Sequence, residues 1–420
     1  MGMTMTSKIL ARAAGRAAVA PGDAVIADVH MLSAADAGLF IDLLRQKNLK
    51  LWDSRRVLFC FDHFFADWMP IGATREHPKI RSFAQEQGIP PENIYDLGRN
   101  GISHQIPVEA GWALPGTVSL GADTQAATMG AANCFSIPTL AGTTSVAITG
   151  RLWQLVPECL RITFSGRLRP GVLGKDIVYR LMQDLGQSAA GRVIEIDGQG
   201  VAELSIDIRM AISNGAVQMG ALAIIFPCDE RLEAYLKGRA RTAYQSVSAD
   251  PDAPYVIERE YDLSEFDWLV AGPHEIDLIR SLPAVEGVEV TAAYIGSCSS
   301  GRLEDLVAAA DVLRGRTIHP NVRLAVTPIS AEVMREAERE GLLRVFLDAG
   351  AIVTNPGCGA CYHGNMSPLK LGEGERCVSA SVETLRGRMG AESAEIYLTS
   401  AAVVAASALA GHIVGPVRDS

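Results

Sequence analysis

The sequence predicts an α/β protein of three domains built on mostly parallel sheets. The first observation is length, because 420 residues correspond to about three domains of about 150 residues each. The second is an alternation of short β-rich runs with longer helical segments, which is typical of parallel strands joined by helices. The third is a composition of 48% hydrophobic and 20% charged residues, which suits globular domains with large cores. We place the domains at 1–150, 151–285 and 286–420.

The first two domains carry recognisable strands and one clear helix. RRVLFCFD (55–62) predicts a buried strand, and HPKIRSFAQEQG (77–88) predicts a helix that ends at Gly88. In the second domain, GRVIEIDGQG (191–200) and YVIEREYDLSEFDWLV (255–270) predict strands and hairpins around helices.

The third domain has the clearest alternation of strand and helix. The predicted strands are 288–298, 321–328 and 350–358, and the predicted helices are 301–316 and 330–343, with Ser330 as an expected N-cap. Cys298 and the pair Cys358 and Cys361 all fall where a strand becomes a turn. Because ligands gather at the carboxyl ends of strands in such sheets, we expect these cysteines to share one edge of the sheet.

Charge and cysteine usage exclude several classes of protein. The net charge is −10 and no basic cluster is present, so nucleic acid is not expected as a partner. The longest apolar segment, 399–415, is short for a bilayer and rich in small residues, so we expect a packed helix and no membrane contact. The eight cysteines are scattered, which argues against a disulfide framework and favours the cytoplasm. The nucleotide-binding patterns GxGxxG and GxxxxGK[ST] are absent from the sequence, as is HExxH.

The turn TNPGCGACYHG (354–364) contains a Cys-x-x-Cys pair that admits three interpretations. A redox pair would be expected at a helix start in a thioredoxin-like unit. Structural zinc would need a second pair of ligands, and His363 is too close to Cys361 to begin one. Cys298 comes from a separate strand end, and three thiolates from two loops suit an iron–sulfur cluster with one open iron, a Lewis acid for a substrate hydroxyl. Spacing alone leaves all three interpretations open.

Several segments resemble the aconitase superfamily. IGSCSSGRLEDL (295–306) and NPGCGACYHG (355–364) resemble its two cluster segments, and 374–411 is similar to the segment that follows them. Other similar segments lie upstream in the family's order, at 8–16, 61–66, 83–89, 101–116, 121–131 and 152–162. The resemblance extends from about residue 7 to the C-terminus. It is strongest for the large subunits of 3-isopropylmalate dehydratase and homoaconitase.

The resemblance implies a fold, a cofactor and a reaction. Three α/β domains would surround a central 4Fe–4S cluster held by Cys298, Cys358 and Cys361, with one iron not ligated by cysteine. The reaction would be removal of water from a small hydroxy acid and its re-addition, sometimes at the neighbouring carbon. The family's swivelling fourth domain has no counterpart in the sequence, so a separate small subunit is expected to complete the site.

The resemblance also assigns side chains to catalysis and to substrate binding. Asp62 and His63 match an Asp-His pair that serves the leaving oxygen, since a neighbouring carboxylate orients an imidazole and raises its basicity. His104 and Asp123 match a second such pair. The remaining matches are a polar residue near the cluster, Asn214, and a substrate-binding arginine, Arg388. For each of these the alternative is a structural residue that only makes hydrogen bonds.

The departures from the family's pattern point to a different substrate. The family's His and carboxylate near the cluster-bound oxygen become Gln125 and Gln218, both polar and neutral. Its Asn-Arg-Asn run falls on Val382 and Glu383, and a glutamate there would repel a carboxylate that an arginine would bind.

Two further segments are altered. The family's Cys-Thr-Asn turn becomes Cys-Ser-Ser, with Ser299 and Ser300, and the early Asp-Gly-Thr segment becomes SAADAG (33–38). We therefore expect an iron–sulfur hydro-lyase for a substrate other than 3-isopropylmalate, with fewer carboxylates or a cationic group at one end. The alternatives are a 3-isopropylmalate dehydratase or homoaconitase proper, and a catalytically silent iron–sulfur or iron-sensing protein.

Overall fold

The computed structural model describes residues 2–35, 38, 40–63, 73–362 and 369–417. Within these residues the helices are α1 (Met5–Ala13), α2 (Ile41–Gln46), α3 (Ala73–Gln87), α4 (Ile106–Glu109), α5 (Thr143–Thr149), α6 (Gly174–Leu185), α7 (Ile206–Asn214), α8 (Glu230–Leu236), α9 (Ser297–Ser300), α10 (Leu303–Leu313), α11 (Ala331–Arg339), α12 (Leu342–Ala349) and α13 (Ala401–Ala410).

The strands alternate with these helices along the chain. They are β1 (Ala24–Asp28), β2 (Met31–Ala35), β3 (Val57–Cys60), β4 (Ile94–Tyr95), β5 (Ser119–Gly121), β6 (Arg151–Leu155), β7 (Cys159–Ser165), β8 (Val193–Asp197), β9 (Ala223–Ile225), β10 (Ile257–Asp262), β11 (Leu269–Ala271), β12 (Ile279–Ser281), β13 (Ala292–Gly296), β14 (Arg323–Thr327), β15 (Ile352–Val353), β16 (Arg376–Ser379) and β17 (Glu395–Leu398).

Three sheets form the framework, and most of their neighbouring strands are parallel. The first has the order β4-β3-β2-β5 and the second β10-β7-β8-β9, and all pairs in both are parallel. The third has the order β12-β11-β17-β16-β13-β14-β15, in which the two pairs that involve β11 are antiparallel and the other four pairs are parallel. β1 and β6 form a separate antiparallel ribbon. The predicted α/β class with mostly parallel sheets is confirmed.

The pairing in the middle of the chain differs from the expected hairpins. β10, within the run 255–270, lies parallel to β7 at the edge of the second sheet. The hairpin of this region is instead β11 with β12, and both strands belong to the third sheet although they precede residue 286. Local alternation cannot distinguish these partners, because a parallel pair is joined by a long connection and not by a turn. The division at 285 and 286 stays a prediction.

The predicted helix 330–343 is divided at Gly341, whose φ is 74°, into α11 and α12, whereas its predicted N-cap agrees with the structure. The Ser330 side chain caps α11 by accepting a hydrogen bond from the backbone N–H of Val333 at 3.1 Å, as predicted. The apolar segment 399–415 forms α13, which packs on α10 and β13 and has buried side chains on all sides. No helix in the described ranges is long and apolar enough to cross a membrane.

The start of the chain is fastened to the second sheet by one carboxylate. Glu195 of β8 is 1% exposed and accepts hydrogen bonds from the backbone N–H groups of Met5 and Thr6, from the Thr6 hydroxyl and from the Tyr255 hydroxyl. Two of these donors are backbone N–H groups in the first turn of α1, which have no carbonyl partner within the helix. A negative charge at this end also interacts favourably with the helix dipole. The contact joins α1, which precedes the first sheet, to the second sheet.

Candidate active site

Three buried cysteines lie at one edge of the third sheet. Cys298 stands in α9 immediately after β13, and Cys358 and Cys361 follow β15. β13 and β15 are both parallel to β14, which lies between them, so their carboxyl ends point the same way. All three thiols are buried and none forms a disulfide. The predicted common edge is therefore confirmed.

Two glycines allow the cysteine turns to pack closely. Gly296, with φ of 146°, ends β13, and a Cβ there would lie 2.6 Å from the carbonyl oxygen of Thr327. Gly359, with φ of 57°, separates Cys358 from Ala360, and a Cβ there would lie 2.1 Å from the Tyr294 hydroxyl. That hydroxyl donates to the Cys358 carbonyl at 2.9 Å. Only glycine accommodates both the positive φ and the close approach.

The three thiols lie within electrostatic range of one another. Burial raises the pKa of the Cys298 thiol, and negative charge on Cys361 and Cys358 raises it further. Burial also raises the pKa of Cys358 to about 11, although His63 opposes this. The described ranges contain no three His, Cys, Asp or Glu side chains that converge on a single ion. In a cluster each cysteine binds a different iron, so this donor set of three buried soft thiolates near one another fits an iron–sulfur group.

The predicted Asp62–His63 pair lies against these thiols. His63 Nδ1 is 2.7 Å from Asp62 Oδ1, and His63 Nε2 is 3.4 Å from Cys358 Sγ. The other Asp62 oxygen accepts the backbone N–H of Ser103 at 2.9 Å, which fixes the carboxylate. Burial opposes a charge on His63, but Asp62 and Cys358 outweigh it and hold the pKa of the imidazole well above its usual value.

Asp123 lies within reach of both predicted histidines. Its Oδ2 is 3.8 Å from His63 Nε2, and its Oδ1 is 3.5 Å from His104 Nε2. Burial lowers the pKa of His104 to about 4, against the opposing effect of Asp123. The backbone N–H of Gln125 donates to Asp123 Oδ1 at 2.8 Å. The structure thus brings all four predicted catalytic side chains together. The pKa of the His63 imidazole is raised, whereas that of His104 is lowered.

Asn214 and Gln218 approach the site from the end of α7. Asn214 is 1% exposed and donates from Nδ2 to the Thr128 hydroxyl at 3.0 Å, and its amide acts to lower the pKa of the nearby Cys298 thiol. Both amide atoms of Gln218 are buried and have no hydrogen-bond partner in the described part of the chain. A buried amide without a partner is costly, so this position suits contact with a bound molecule.

Arg388 lies beside Cys361, and Glu383 is within electrostatic range of Arg388. Arg388 Nη2 is 3.8 Å from Cys361 Sγ, and its Nε is buried without a partner among the described residues. Burial raises the pKa of the Glu383 carboxyl, while Arg388 and Lys175 both act to lower it. Two cations of this chain therefore lie within electrostatic range of Glu383.

The two serines of the altered turn have different environments. The Ser299 hydroxyl donates to the Ala380 carbonyl at 2.5 Å, whereas the Ser300 hydroxyl is buried without a partner in the described residues. Parts of three predicted segments lie outside the described residues. These are 36–37 in SAADAG, 64–66 in FDHFFA, and His363 with Gly364 in the cysteine turn.

Sequence reasoning missed Lys175. Its ammonium is buried and donates to Ser299 Oγ at 2.9 Å, to Ala380 O at 3.0 Å and to Ser381 O. Burial lowers its pKa to about 8. One local signal was available, because Lys175 is the second residue of α6, where the helix dipole disfavours a positive charge.

The chain is similar to known proteins along almost its whole length. The family model described as "Aconitase family (aconitate hydratase)" matches residues 71–283 and 280–411. The probable 3-isopropylmalate dehydratase large subunit of Methanothermobacter thermautotrophicus is 40% identical over 424 residues, with 99% of each chain covered. The 3-isopropylmalate dehydratase large subunit of Acetivibrio thermocellus is 38% identical over 423 residues, again with 99% of each chain covered.

One solved structure supports the fold. The holo-form of Thermococcus kodakaraensis aconitase X superposes with a TM-score of 0.50 and 11% sequence identity, covering 85% of this chain and 83% of that one. At this identity the likeness concerns the fold alone.

Proposed function

The chain belongs to the aconitase family, as the resemblance predicted, and from this premise we propose that it is an iron–sulfur-dependent hydro-lyase for a small hydroxy acid. The family implies an iron–sulfur cluster. Our proposal adds that this is a 4Fe–4S cluster with one iron free of cysteine. The observation that carries the proposal is the contact between His63 Nε2 and Cys358 Sγ at 3.4 Å, which joins an acid–base pair to a cysteine cluster.

Cys298, Cys358 and Cys361 would hold the cluster. When bound, it supplies a Lewis acid for a substrate hydroxyl and carboxylate. Asn214 and Arg388 flank two of these thiols, and each brings hydrogen-bond donors to the edge of the site. Uncharged and cationic donors around thiolates favour their ionised form, which is the form that binds metal.

His63 is proposed as the acid for the leaving oxygen. Asp62 holds Nδ1 at 2.7 Å, so the Nε2 proton points toward the thiols and the substrate space. A carboxylate behind an imidazole orients the ring and stabilises its charged form. Asp123 lies within 3.8 Å of the same nitrogen and links it to His104. These groups form a short path along which a proton can be held or moved.

The substrate is proposed to differ from 3-isopropylmalate. Gln125 and Gln218 are neutral where the family has a His–carboxylate pair, and Glu383 replaces an arginine. The relatives named above are large subunits, and we propose that a separate small subunit likewise completes this site. The cytoplasmic location expected from the scattered cysteines is part of the same proposal.

The test is spectroscopy of the intact complex. The chain would be purified without oxygen together with its small subunit, and EPR of the reduced cluster recorded with and without hydroxy acids, including 3-isopropylmalate. A cluster signal that shifts with a hydroxy acid, together with dehydration of that acid, is expected. Ordinary turnover of 3-isopropylmalate would contradict the changed substrate and favour a 3-isopropylmalate dehydratase proper. Absence of a cluster would overturn the cofactor and the reaction.

A further inference from the structure

The ribbon formed by β1 and β6 has an exposed apolar face. Side chains alternate along its strands, so that Val25 and Ala27 are buried in the core and their neighbours point outward. On the outward face Ile26 is 57%, Trp153 is 64% and Leu155 is 48% exposed. Large apolar side chains that adjoin one another on a surface indicate an interaction site, whereas isolated ones do not.

The outward residues of the ribbon form three cross-strand pairs, which are Ala24 with Leu155, Ile26 with Trp153, and Asp28 with Arg151. We call these residues the ribbon face. Two of the pairs are apolar, and the third joins opposite charges, with Arg151 Nε 3.4 Å from Asp28 Oδ1. Both charged side chains are mostly exposed, and an exposed ion pair contributes little to the stability of a single chain.

The ribbon and the candidate active site lie at opposite edges of the first sheet. β1 ends at Asp28 and β2 begins at Met31, so the charged end of the ribbon lies at the amino edge of that sheet. β3 and β5 are parallel to β2, and His63 and Asp123 follow their carboxyl ends. A small subunit that completes the active site would dock at the carboxyl edge. The ribbon face is therefore left for a different partner.

A second copy of the ribbon face is a complementary partner. When two copies stack about a two-fold axis parallel to the strands, β1 of one copy lies over β6 of the other at the same level. The register then places Asp28 over Arg151 of the second copy, and the two-fold axis repeats this contact. The apolar pairs meet in the same way. An axis across the strands would instead set Asp28 over Ala24 and Arg151 over Leu155, which buries both charges against apolar side chains.

We propose that the ribbon face is a homodimer interface of this chain, in which two ribbons stack about a two-fold axis parallel to their strands. Ile26 and Trp153 form its apolar centre, and two pairs of Asp28 with Arg151 close one end. Each strand of the ribbon is five residues long, so the face is smaller than a standard interface of about 800 Å² per partner. We therefore expect a reversible dimer with a Kd of about 1–100 μM.

The first test measures the oligomeric state of the full chain, purified without oxygen, by sedimentation velocity across about a hundredfold range of concentration. The sedimentation coefficient should rise with concentration toward that of a dimer. Trp153→Ser should raise the Kd about tenfold or more, because a central aromatic side chain carries much of the energy of an interface. Leu347→Ser, at a 58% exposed position on α12, is the matched control and should leave the Kd unchanged.

Charge reversal tests the two-fold arrangement itself. Asp28→Arg gives the ribbon face two positive charges and Arg151→Asp gives it two negative charges, so each variant alone should stay monomeric where the unmodified chain dimerises. Mixed in equal amounts, the two variants should associate with each other, because each facing pair then joins opposite charges. The repulsion within each chain persists in the mixture, so a recovered dimer reports contacts between chains.

The expected result is a dimer that Trp153→Ser weakens and that the mixed charge variants restore. A chain that stays monomeric over the whole range overturns the inference, and so does a dimer that Trp153→Ser leaves unchanged. A dimer of the unmodified chain that the mixture does not restore also overturns it, because the ribbons would not then face each other as proposed. Loss of small-subunit binding in Trp153→Ser, with no dimer of the unmodified chain, would assign the face to that subunit instead. None of these outcomes bears on the hydro-lyase proposal, which turnover tests separately.

Discussion

His63 Nε2 lies 3.4 Å from the sulfur of Cys358, although the two residues are 295 positions apart in the sequence. His63 follows the end of β3 in the first sheet, and Cys358 follows β15 in the third. A backbone hydrogen bond from the Cys358 N–H to the carbonyl of Asp62, at 3.1 Å, holds the same two turns together. The proposed acid and the proposed cluster ligands therefore form one site only when the first and third sheets are packed in their native arrangement.

Replacing His63 tests the proposed acid. His63→Gln should lower kcat for a turned-over hydroxy acid by about 10²–10⁴, the range over which a positioned acid contributes. Because His63 also contacts Cys358, kcat must be expressed per bound cluster, measured as iron and sulfide content. The control is His412→Gln in the segment after α13, which should keep full activity. An activity loss that only follows lost iron would contradict the acid role.

Replacing the three cysteines tests the cluster. Serine at Cys298, Cys358 or Cys361 should in each case remove most of the bound iron and the visible absorption, because each cysteine is proposed to hold a separate iron. Cys134→Ser is the matched control. Cys134 is equally buried, and its thiol donates to the Met129 carbonyl at 2.9 Å, a bond that serine can also make. Iron retained in the three variants, or lost equally in the control, would be evidence against this ligand set.

The part of the site that the sequence predicted well is the part encoded locally. Strand ends, Gly-rich turns and cysteine spacing predicted that Cys298 and Cys358 meet at one sheet edge, and a serine before an amphipathic run predicted the cap at Ser330. Lys175 was missed because its partners, Ser299 and Ala380, lie 124 and 205 residues away. The cations near Glu383 could likewise not be predicted from the sequence around it, because Lys175 belongs to α6 and Arg388 to a later turn. Contacts between sheets depend on how the sheets pack, and a local sequence pattern carries no information about that packing.

Glu109 should make stability depend on pH. Burial raises the pKa of Glu109 to about 7 from an ordinary value of 4.5, although the Ser330 hydroxyl, 2.7 Å away, opposes this by donating to it. The folded state thus binds a proton that the unfolded state has released, so stability is fully present below about pH 4.5 and decreases as pH rises toward 7.

Glu109→Gln should remove this dependence. Between pH 5 and 8 the unmodified protein should lose up to about 2 kcal/mol relative to the variant, measured by denaturant unfolding across that range. The control is Glu92→Gln at an exposed position, whose pH profile should follow that of the unmodified protein. Parallel profiles for Glu109→Gln and the unmodified protein would contradict the prediction.

Lys175 should stabilise the contact between α6 and the third sheet. Lys175→Met keeps the length and the apolar part of the side chain but removes the donors to Ser299 Oγ, Ala380 O and Ser381 O. The Ala380 carbonyl still accepts from the Ser299 hydroxyl, so the main loss is at the Ser381 carbonyl. Leaving a buried acceptor unpaired costs about 1–3 kcal/mol, and the relief of burying a charge offsets part of this, so we expect a net loss of about 1–2 kcal/mol. Denaturant unfolding of the cluster-free chain measures it without any contribution from iron. Lys237→Met, at an exposed position after α8, is the control and should change stability by less than about 0.5 kcal/mol.

Equal stability of the Lys175 variant and the control would mean that desolvation of the ammonium cancels its three hydrogen bonds. Lys175 would then be retained for its charge beside Glu383 and not for the fold.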